Sequence, residues 1–311
     1  MASRLTIFSI CALLIAFFDY PTTAFSMEEL PFDFKELVCR LVARKDLSNL
    51  NDLQDHDWSS LGSLHNDKRS TLDLFFACHP ESTTINWGLS HSNYQSRTKE
   101  PQNLDQRFDH ISALEVSVLN NSSYHTDDET LAQFLRYVWA FFTGHEFHCP
   151  EKRIQEAIVE NSLIKQFEKI TLTYLGQCSE AIFAGQDKEK LKHCSLTNWP
   201  SDISEDLWTL THSRNLQYLS LQNCENHGFS EDMLEFCVEQ SLEGDYYQGC
   251  LRFKVWNVNF DCLKVLKPLC KQWRAEIKGT TIAFKGAGKH LVVTYNSNRV
   301  SADWTRPRRQ D

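Results

Sequence analysis

A nine-residue pattern, with apolar residues at its first, fourth, sixth and ninth positions, recurs along this chain and restricts the possible folds most. Its copies are ISALEVSVL, FEKITLTYL, LKHCSLTNW, LQYLSLQNC and CLRFKVWNV, which begin at residues 111, 167, 191, 216 and 250. Because successive side chains of a strand point to opposite faces, the fourth and sixth positions predict a short strand with one buried face. Two steps are roughly 25 residues long, which is typical of repeats that bury this face against their neighbours.

Helical segments lie between these predicted strands. The segments 204–214 and 230–244 each open with Ser-Glu-Asp, which supplies an N-cap and negative charge at the helix start. The acidic run after Thr126 and the segment 261–273 are further candidates. The long step between the first two copies predicts a degenerate unit near HEFHC (145–149). Strand followed by helix, repeated, predicts an α/β fold with a parallel sheet.

The strand pattern resembles that of leucine-rich-repeat proteins. LQYLSLQNC fits L-x-x-L-x-L-x-x-C at every fixed position. The resemblance implies that residues 108–300 form an irregular leucine-rich-repeat-like solenoid of alternating strands and helices, with a large surface for holding a protein. An irregular α/β domain without true repeats is the alternative.

Residues 27–70, termed the amino-terminal module here, are predicted to be helical. Positions spaced three and four residues apart form one apolar helical stripe, namely Phe34, Leu37, Val38 and Leu41. Pro31 stands just before this stripe and suits a helix start. A second helix carries Leu47 and Leu50. Periodicity alone is equally compatible with an ordinary helical hairpin.

The order of residues in this module resembles an F-box, in the style of the large F-box families of nematodes. Leu-Pro at 30–31 is followed by an apolar helix, Lys-Asp-Leu at 45–47 and Trp58. The resemblance implies docking to the adaptor subunit of an SCF-type ubiquitin ligase and capture of an unknown protein substrate. The residues implied for adaptor binding are Leu30, Pro31, Phe34, Val38, Leu41, Leu47 and Leu50. The chain departs from the family at 54–57, where QDHD replaces a polar-basic segment, and at Leu41, which falls one residue early.

The first 26 residues have the organisation of a secretory signal. Arg4 precedes the apolar run 5–18, which is shorter than the roughly 20 residues of a membrane span, and small residues at cleavage spacing follow. Residues 1–26 are therefore predicted to be a signal peptide that directs secretion. The alternatives are a buried helix or a spurious upstream extension of a chain that starts at Met27 and stays in the cytoplasm or nucleus.

Secretion would have consequences elsewhere in the chain. The overlapping sequons in NNSS would accept glycans at Asn120 or Asn121. The cysteines other than Cys11 are even in number and could pair, although they are spread thinly and several sit at apolar positions. No segment after the signal is long and apolar enough to predict a stable membrane span.

The composition limits the possible partners. The chain has 311 residues, 41% hydrophobic residues and a net charge of −9. This content is sufficient for a packed core, and the negative charge argues against a general nucleic-acid binder, which needs a basic face. Residues 71–107 are polar and are predicted to be a linker, and 301–311 to be a basic tail.

The sequence predicts no catalytic, cofactor or metal site. HEFHC lacks the spacing of the HExxH zinc motif, and a degenerate repeat strand explains it better. KGAGKH (285–290) lacks the Ser or Thr of a phosphate loop and predicts a hairpin between TTIAF and LVVTY. The chain is therefore predicted to be a non-enzymatic interaction protein. A secreted leucine-rich-like binding protein without a ubiquitin role is the main alternative, and an enzyme with a dispersed site is a third.

Overall fold

The structure is a computed structural model. It describes residues 31–41, 47, 50, 55–78, 85–91, 103–105, 107–118, 128–200, 202–213, 215–243, 251–286 and 289–305. These residues form two compact units. The first contains the described residues up to Leu72 together with Leu89–Ile111, and the second contains Asp73–Gly88 and the described residues from Ser112 onward.

Helices and strands alternate along most of the described chain, which confirms the predicted α/β class. The described helices are α1 Phe32–Leu41, α2 His56–Lys68, α3 Asp128–Trp139, α4 Lys152–Glu160, α5 Gln177–Ala184, α6 Ser204–His212, α7 Glu231–Glu243 and α8 Cys262–Gln272. The described strands are β1 Ser70–Cys78, β2 Ile85–His91, β3 Asp109–Val118, β4 Phe142–Cys149, β5 Lys169–Thr173, β6 His193–Thr197, β7 Tyr218–Gln222, β8 Arg252–Trp256, β9 Ala275–Lys278, β10 Thr281–Gly286, β11 Lys289–Tyr295 and β12 Arg299–Thr305.

The strands form one mixed sheet in the order β2-β1-β3-β4-β5-β6-β7-β8-β12-β11-β10-β9. From β4 to β8, strands adjacent in the chain pair in parallel, with one helix between each pair. From β8 through β12, β11 and β10 to β9 the pairing is antiparallel. The antiparallel pair β10–β11 confirms the hairpin predicted around KGAGKH.

The predicted repeat positions align in register across the parallel strands. At the fourth position of the pattern, Ile170, Cys194, Leu219 and Phe253 pair in register, and Phe147 of β4, where no repeat position was predicted, joins them. At the sixth position Leu172, Leu196, Leu221 and Val255 pair in register, and Cys149 of β4 joins them. All ten side chains are almost fully excluded from solvent. The period-two reading of the sequence therefore identified the covered side of these strands correctly.

Residues between these positions alternate with them in exposure. Burial alternates along β5, β6 and β8, so only one face of each strand is covered. A strand covered on both faces would be apolar at almost every position. The helices that join the parallel strands bury their own apolar residues, such as Ile154, Ile182, Leu207 and Leu234. The second unit thus has one helix-covered face and one open face of its sheet.

The first unit packs α1 against α2. Asp55 caps α2 by accepting hydrogen bonds from the backbone of Asp57 and Trp58. Lys35 of α1 donates to the same carboxylate at 2.8 Å. The core comprises Phe34, Val38, Cys39, Leu47, Leu50, Trp58 and Leu61. Arg69 donates to the carbonyl oxygens of Cys39 and Arg40, which lie near the end of α1 and need such a partner.

Part of the predicted linker is ordered structure, so that prediction is wrong for β1 and β2. The run STLDLFFAC alternates, and its Leu72, Leu74 and Phe76 are fully buried. This alternation indicates a strand, but the polar residues that follow it led to the prediction of a linker. At the other end, β12 continues to Thr305, so the predicted basic tail begins with strand residues.

None of the described helices is both long enough and apolar enough to cross a membrane.

Candidate functional site

The structure places most of the predicted adaptor-binding side chains inside the first unit. Phe34 is 6% exposed, and Val38, Leu47 and Leu50 are fully buried. Leu41 is the last residue of α1, and Leu30 lies outside the described residues. A fully buried side chain stabilises the fold and reaches a partner only if the packing opens. These four residues therefore act first as the core of the unit.

Two residues at the start of α1 remain on the surface. Pro31, one of the predicted adaptor-binding residues, is exposed. Phe32 is 52% exposed, and sequence analysis missed it. A single exposed apolar side chain is common on protein surfaces, so exposure alone assigns Phe32 no role.

The predicted signal peptide and both glycosylation candidates lie outside the described residues. These are residues 1–26, Asn120 and Asn121. Eight cysteines have described side chains, and all eight are free thiols, seven of them buried. Burial raises the pKa of Cys194 to about 12 and that of Cys262 to about 11, so both thiols stay protonated at neutral pH. These cysteines function as small apolar side chains.

The HEFHC segment is strand β4, as the degenerate-repeat interpretation predicts. His148 is exposed and Cys149 is buried, because neighbouring residues of a strand point to opposite faces. Within the described part of the chain, no three His, Cys, Asp or Glu side chains are grouped to hold a metal ion.

The open face of the second unit's sheet carries the most distinctive surface chemistry. Its side chains form three rows that cross the strands. The first row consists of Glu146, Lys169, His193, Tyr218 and Arg252. The middle row consists of His148, Thr171, Ser195, Ser220, Lys254 and Ser301. The third row consists of Thr173, Thr197 and Gln222, with Trp256 and Arg299 paired further across the sheet.

Positive charge accumulates at the β8–β12 part of this face. On β5, Lys169 forms an ion pair with Glu146, so its charge is compensated. Arg252, Lys254 and Arg299, by contrast, form no ion pair with any described carboxylate. The face of β8 and β12 carries only one acidic residue among those described, the exposed Asp303. In a chain of net charge −9, this cluster is a local reversal of sign.

Aromatic rings lie among these cations. The guanidinium of Arg299 lies 4.5 Å from the ring centre of Trp256. The guanidinium of Arg252 lies 5.9 Å from the ring of Tyr218, which stacks on His193 at 4.3 Å. Cation–π contacts hold a guanidinium flat on a ring. Trp, Tyr and Arg are also the residue types that dominate binding energy at protein interfaces.

The pKa of His193 depends on its burial and on the charges around it. Its pKa is lowered mainly by burial and then by the positive charge of Lys169; Glu146 opposes this shift, and Arg252 adds the smallest lowering effect. Neutral imidazole is therefore the dominant form at pH 7, and the ring serves as a flat stacking partner for Tyr218.

Short hydroxyl side chains make up the middle row on β5, β6, β7 and β12, whereas His148 and Lys254 of the same row are long and exposed. Thr171, Ser195 and Ser301 are half-buried, and Ser220 is fully buried. The first row carries larger side chains, including Tyr218, and the third row has short, half-buried threonines on β5 and β6. The side-chain hydroxyl of Ser220 has no hydrogen-bond partner within the described structure. We call this line of short side chains, interrupted by Lys254 on β8, the hydroxyl furrow.

Comparison of the chain with protein families, with curated proteins and with solved structures finds no match. The function of the chain is therefore inferred from the residues and the geometry described above.

The open face was not predicted as a site. The sequence signal was present in the positions between the apolar ones, where the later copies carry Tyr218, Arg252, Lys254 and Trp256. Arg299 joins them through the antiparallel return of β12. No repeat pattern contains that strand.

Proposed function

We propose that this chain is a non-enzymatic protein-interaction protein that serves as the substrate receptor of an SCF-type ubiquitin ligase. In this proposal the amino-terminal module docks the adaptor subunit. Residues 108–300 form a leucine-rich-repeat-like solenoid that holds a protein substrate. The observation that carries the proposal is the in-register stacking of the repeat positions beside one broad, open and polar sheet face.

The F-box order of Leu-Pro, apolar helix, Lys-Asp-Leu and tryptophan supports the adaptor role. Trp58 is fully buried in the first unit, and Asp55, one of the divergent QDHD residues at 54–57, caps α2. The divergent segment therefore supplies a helix cap where the family has its polar-basic residues. Pro31 and Phe32 are the surface residues best placed to touch an adaptor.

A pull-down with residues 27–311 as bait tests this role, with a known F-box protein as the positive control. We expect recovery of the SCF adaptor, and we expect the exposed substitution Phe32→Asp to abolish it. Tyr137→Asp is a matched control, since Tyr137 is 46% exposed and lies in the second unit. Failure of the wild-type bait, while the positive control succeeds, would contradict the proposal.

A second candidate function is a secreted leucine-rich-like binding protein. The apolar run 5–18 and the sequons at Asn120 and Asn121 favour it. It predicts glycan at one of these asparagines and disulfides among the cysteines. A titration that finds every thiol of the native protein reduced, together with a mass that includes no glycan, would rule it out.

A further inference from the structure

The hydroxyl furrow is long enough for about six residues of an extended peptide. Its floor crosses β5, β6, β7, β8 and β12. With neighbouring strands about 4.8 Å apart, four gaps give a length of about 19 Å. An extended chain rises about 3.3 Å per residue, so roughly six residues span the furrow.

Positive charge is concentrated at one end of the furrow. Toward β5 the floor is neutral, and the nearest lysine, Lys169, is already paired with Glu146. Toward β8 and β12 stand three cations without an ion-pair partner in the described structure, Arg252, Lys254 and Arg299. Guanidinium groups match carboxylates in a two-pronged geometry, and such charge-assisted hydrogen bonds are stronger than neutral ones.

Two buried polar groups have unmet hydrogen-bonding capacity here. One is the fully buried hydroxyl of Ser220, at the centre of the floor. The other is the Nε–H of Arg299, which is buried and has no partner among the described atoms. Buried polar groups in folded proteins are normally paired, and an unpaired one calls for an explanation. Both atoms are shielded from solvent, so a ligand on the surface reaches them only if neighbouring side chains move, and the contacts proposed below therefore use the charged groups.

We propose that the hydroxyl furrow binds an extended, acidic segment of a partner protein, whose Asp or Glu carboxylates pair with Arg252, Lys254 and Arg299. Trp256 and Tyr218 hold the guanidinium groups of Arg299 and Arg252 beside them through cation–π contacts. This inference rests on the proposed function in one respect, that the chain binds proteins, and it names the substrate class. It does not depend on adaptor docking.

Selection from a random library of displayed peptides, each about twelve residues long and so about twice the span of the furrow, tests this class. The bait is the immobilised full chain. We expect the recovered peptides to be enriched in Asp and Glu and to lose binding as the salt concentration rises, since exposed charges are screened. Recovery of neutral or basic peptides, or of none above an unrelated bait, would overturn the proposal. Stronger binding to a single-stranded RNA of equal charge would also overturn it.

Titration of one selected peptide then locates the site. The double substitution Arg252→Gln/Arg299→Gln is expected to weaken binding at least tenfold, because two charge-assisted contacts are lost. The matched control is Lys264→Gln/Lys267→Gln, which removes the same charge from exposed positions of α8. It is expected to change affinity less than threefold. Equal effects of both double variants would show that the peptide responds only to net charge.

Two further measurements keep the result interpretable. If the Arg252/Arg299 variant fails to fold, the exposed Lys254→Gln takes its place, with an expected loss of about threefold or more. The Arg252/Arg299 variant should still recover the SCF adaptor. If peptide binding fails while adaptor recovery persists, only the furrow assignment is wrong. If adaptor recovery also fails with the wild-type chain, the receptor role itself is wrong.

Discussion

The substitution Ser220→Ala should stabilise the second unit, although it removes a polar side chain from a sheet. Ser220 is fully buried in β7, and its hydroxyl has no partner among the described residues. A buried hydroxyl without a partner costs about 1–3 kcal/mol relative to water. Removing one heavy atom forfeits packing worth about 0.8 kcal/mol, by analogy with a methylene group. The net expectation is a gain of about 1 kcal/mol.

A matched serine in the same unit should respond in the opposite direction. Ser241 of α7 is also fully buried, but its hydroxyl has carbonyl acceptors, that of Cys237 at 2.6 Å and that of Leu251 at 3.2 Å, for its single proton. Ser241→Ala removes this donor and leaves a buried carbonyl short of a partner, at a cost of about 1 kcal/mol. The helix preference of alanine offsets a few tenths of this.

Denaturant titration of both variants and the wild type measures the difference directly. The two variants should differ by about 2 kcal/mol in the free energy of unfolding. For a unit of this size that corresponds to roughly 4–8 °C between their thermal midpoints. If Ser220→Ala destabilises the protein as much as Ser241→Ala does, the Ser220 hydroxyl has a hydrogen-bond partner in solution, and its treatment as an unpaired buried group is wrong.

Three further predictions concern other parts of the chain. Lys35→Met should destabilise the first unit by roughly 2–4 kcal/mol in denaturant titration. Lys35 is 2% exposed, and its loss leaves the negative charge of Asp55 without its cation. A loss below about 1 kcal/mol would contradict this. Burial, reinforced by neighbouring cations, lowers the pKa of His110 from 6.5 to about 4. Between these values the unfolded chain binds more protons, so stability should fall as the pH is lowered from 6.5 to 4, and His110→Gln should flatten that slope. Among the described thiols, half-buried Cys270 should react first with a thiol reagent in the native protein, whereas Cys194 should react only on unfolding; early labelling of Cys194 would contradict its burial.

The sequence predicted the repeat strands because their fixed apolar positions follow the physics of a half-buried strand. Ile170, Cys194, Leu219 and Phe253 pair in register as the pattern requires. The helix at 230–244 follows from its cap and acidic start, since the Ser230 hydroxyl accepts a hydrogen bond from the backbone N–H of Met233. At 204–214 the acidic start is present but the predicted cap is wrong, because Ser204 is the first helical residue and Ile203 stands at the N-cap without a side-chain hydrogen bond. These signals are local, so a single sequence contains them.

Features set by tertiary contacts were not predicted. β1 and β2 were interpreted as linker, because polar neighbours hid a strand whose partners are distant in sequence. The order of residues in the amino-terminal module could not show that Phe34 and Val38 face inward while Phe32 faces solvent. The cluster of Arg252 with Arg299 depends on an antiparallel return strand that lies outside the repeat.

The amino-terminal peptide of the native protein, identified by mass spectrometry, tests the receptor proposal most directly. A substrate receptor of a ubiquitin ligase must remain in the cytosol or nucleus, so the proposal predicts an acetylated start at Met27 or Glu28. An unblocked end near Phe25 or Met27, from a chain translated from Met1, would show cleavage of an export signal. That result would contradict the receptor role and direct the search for partners outside the cell.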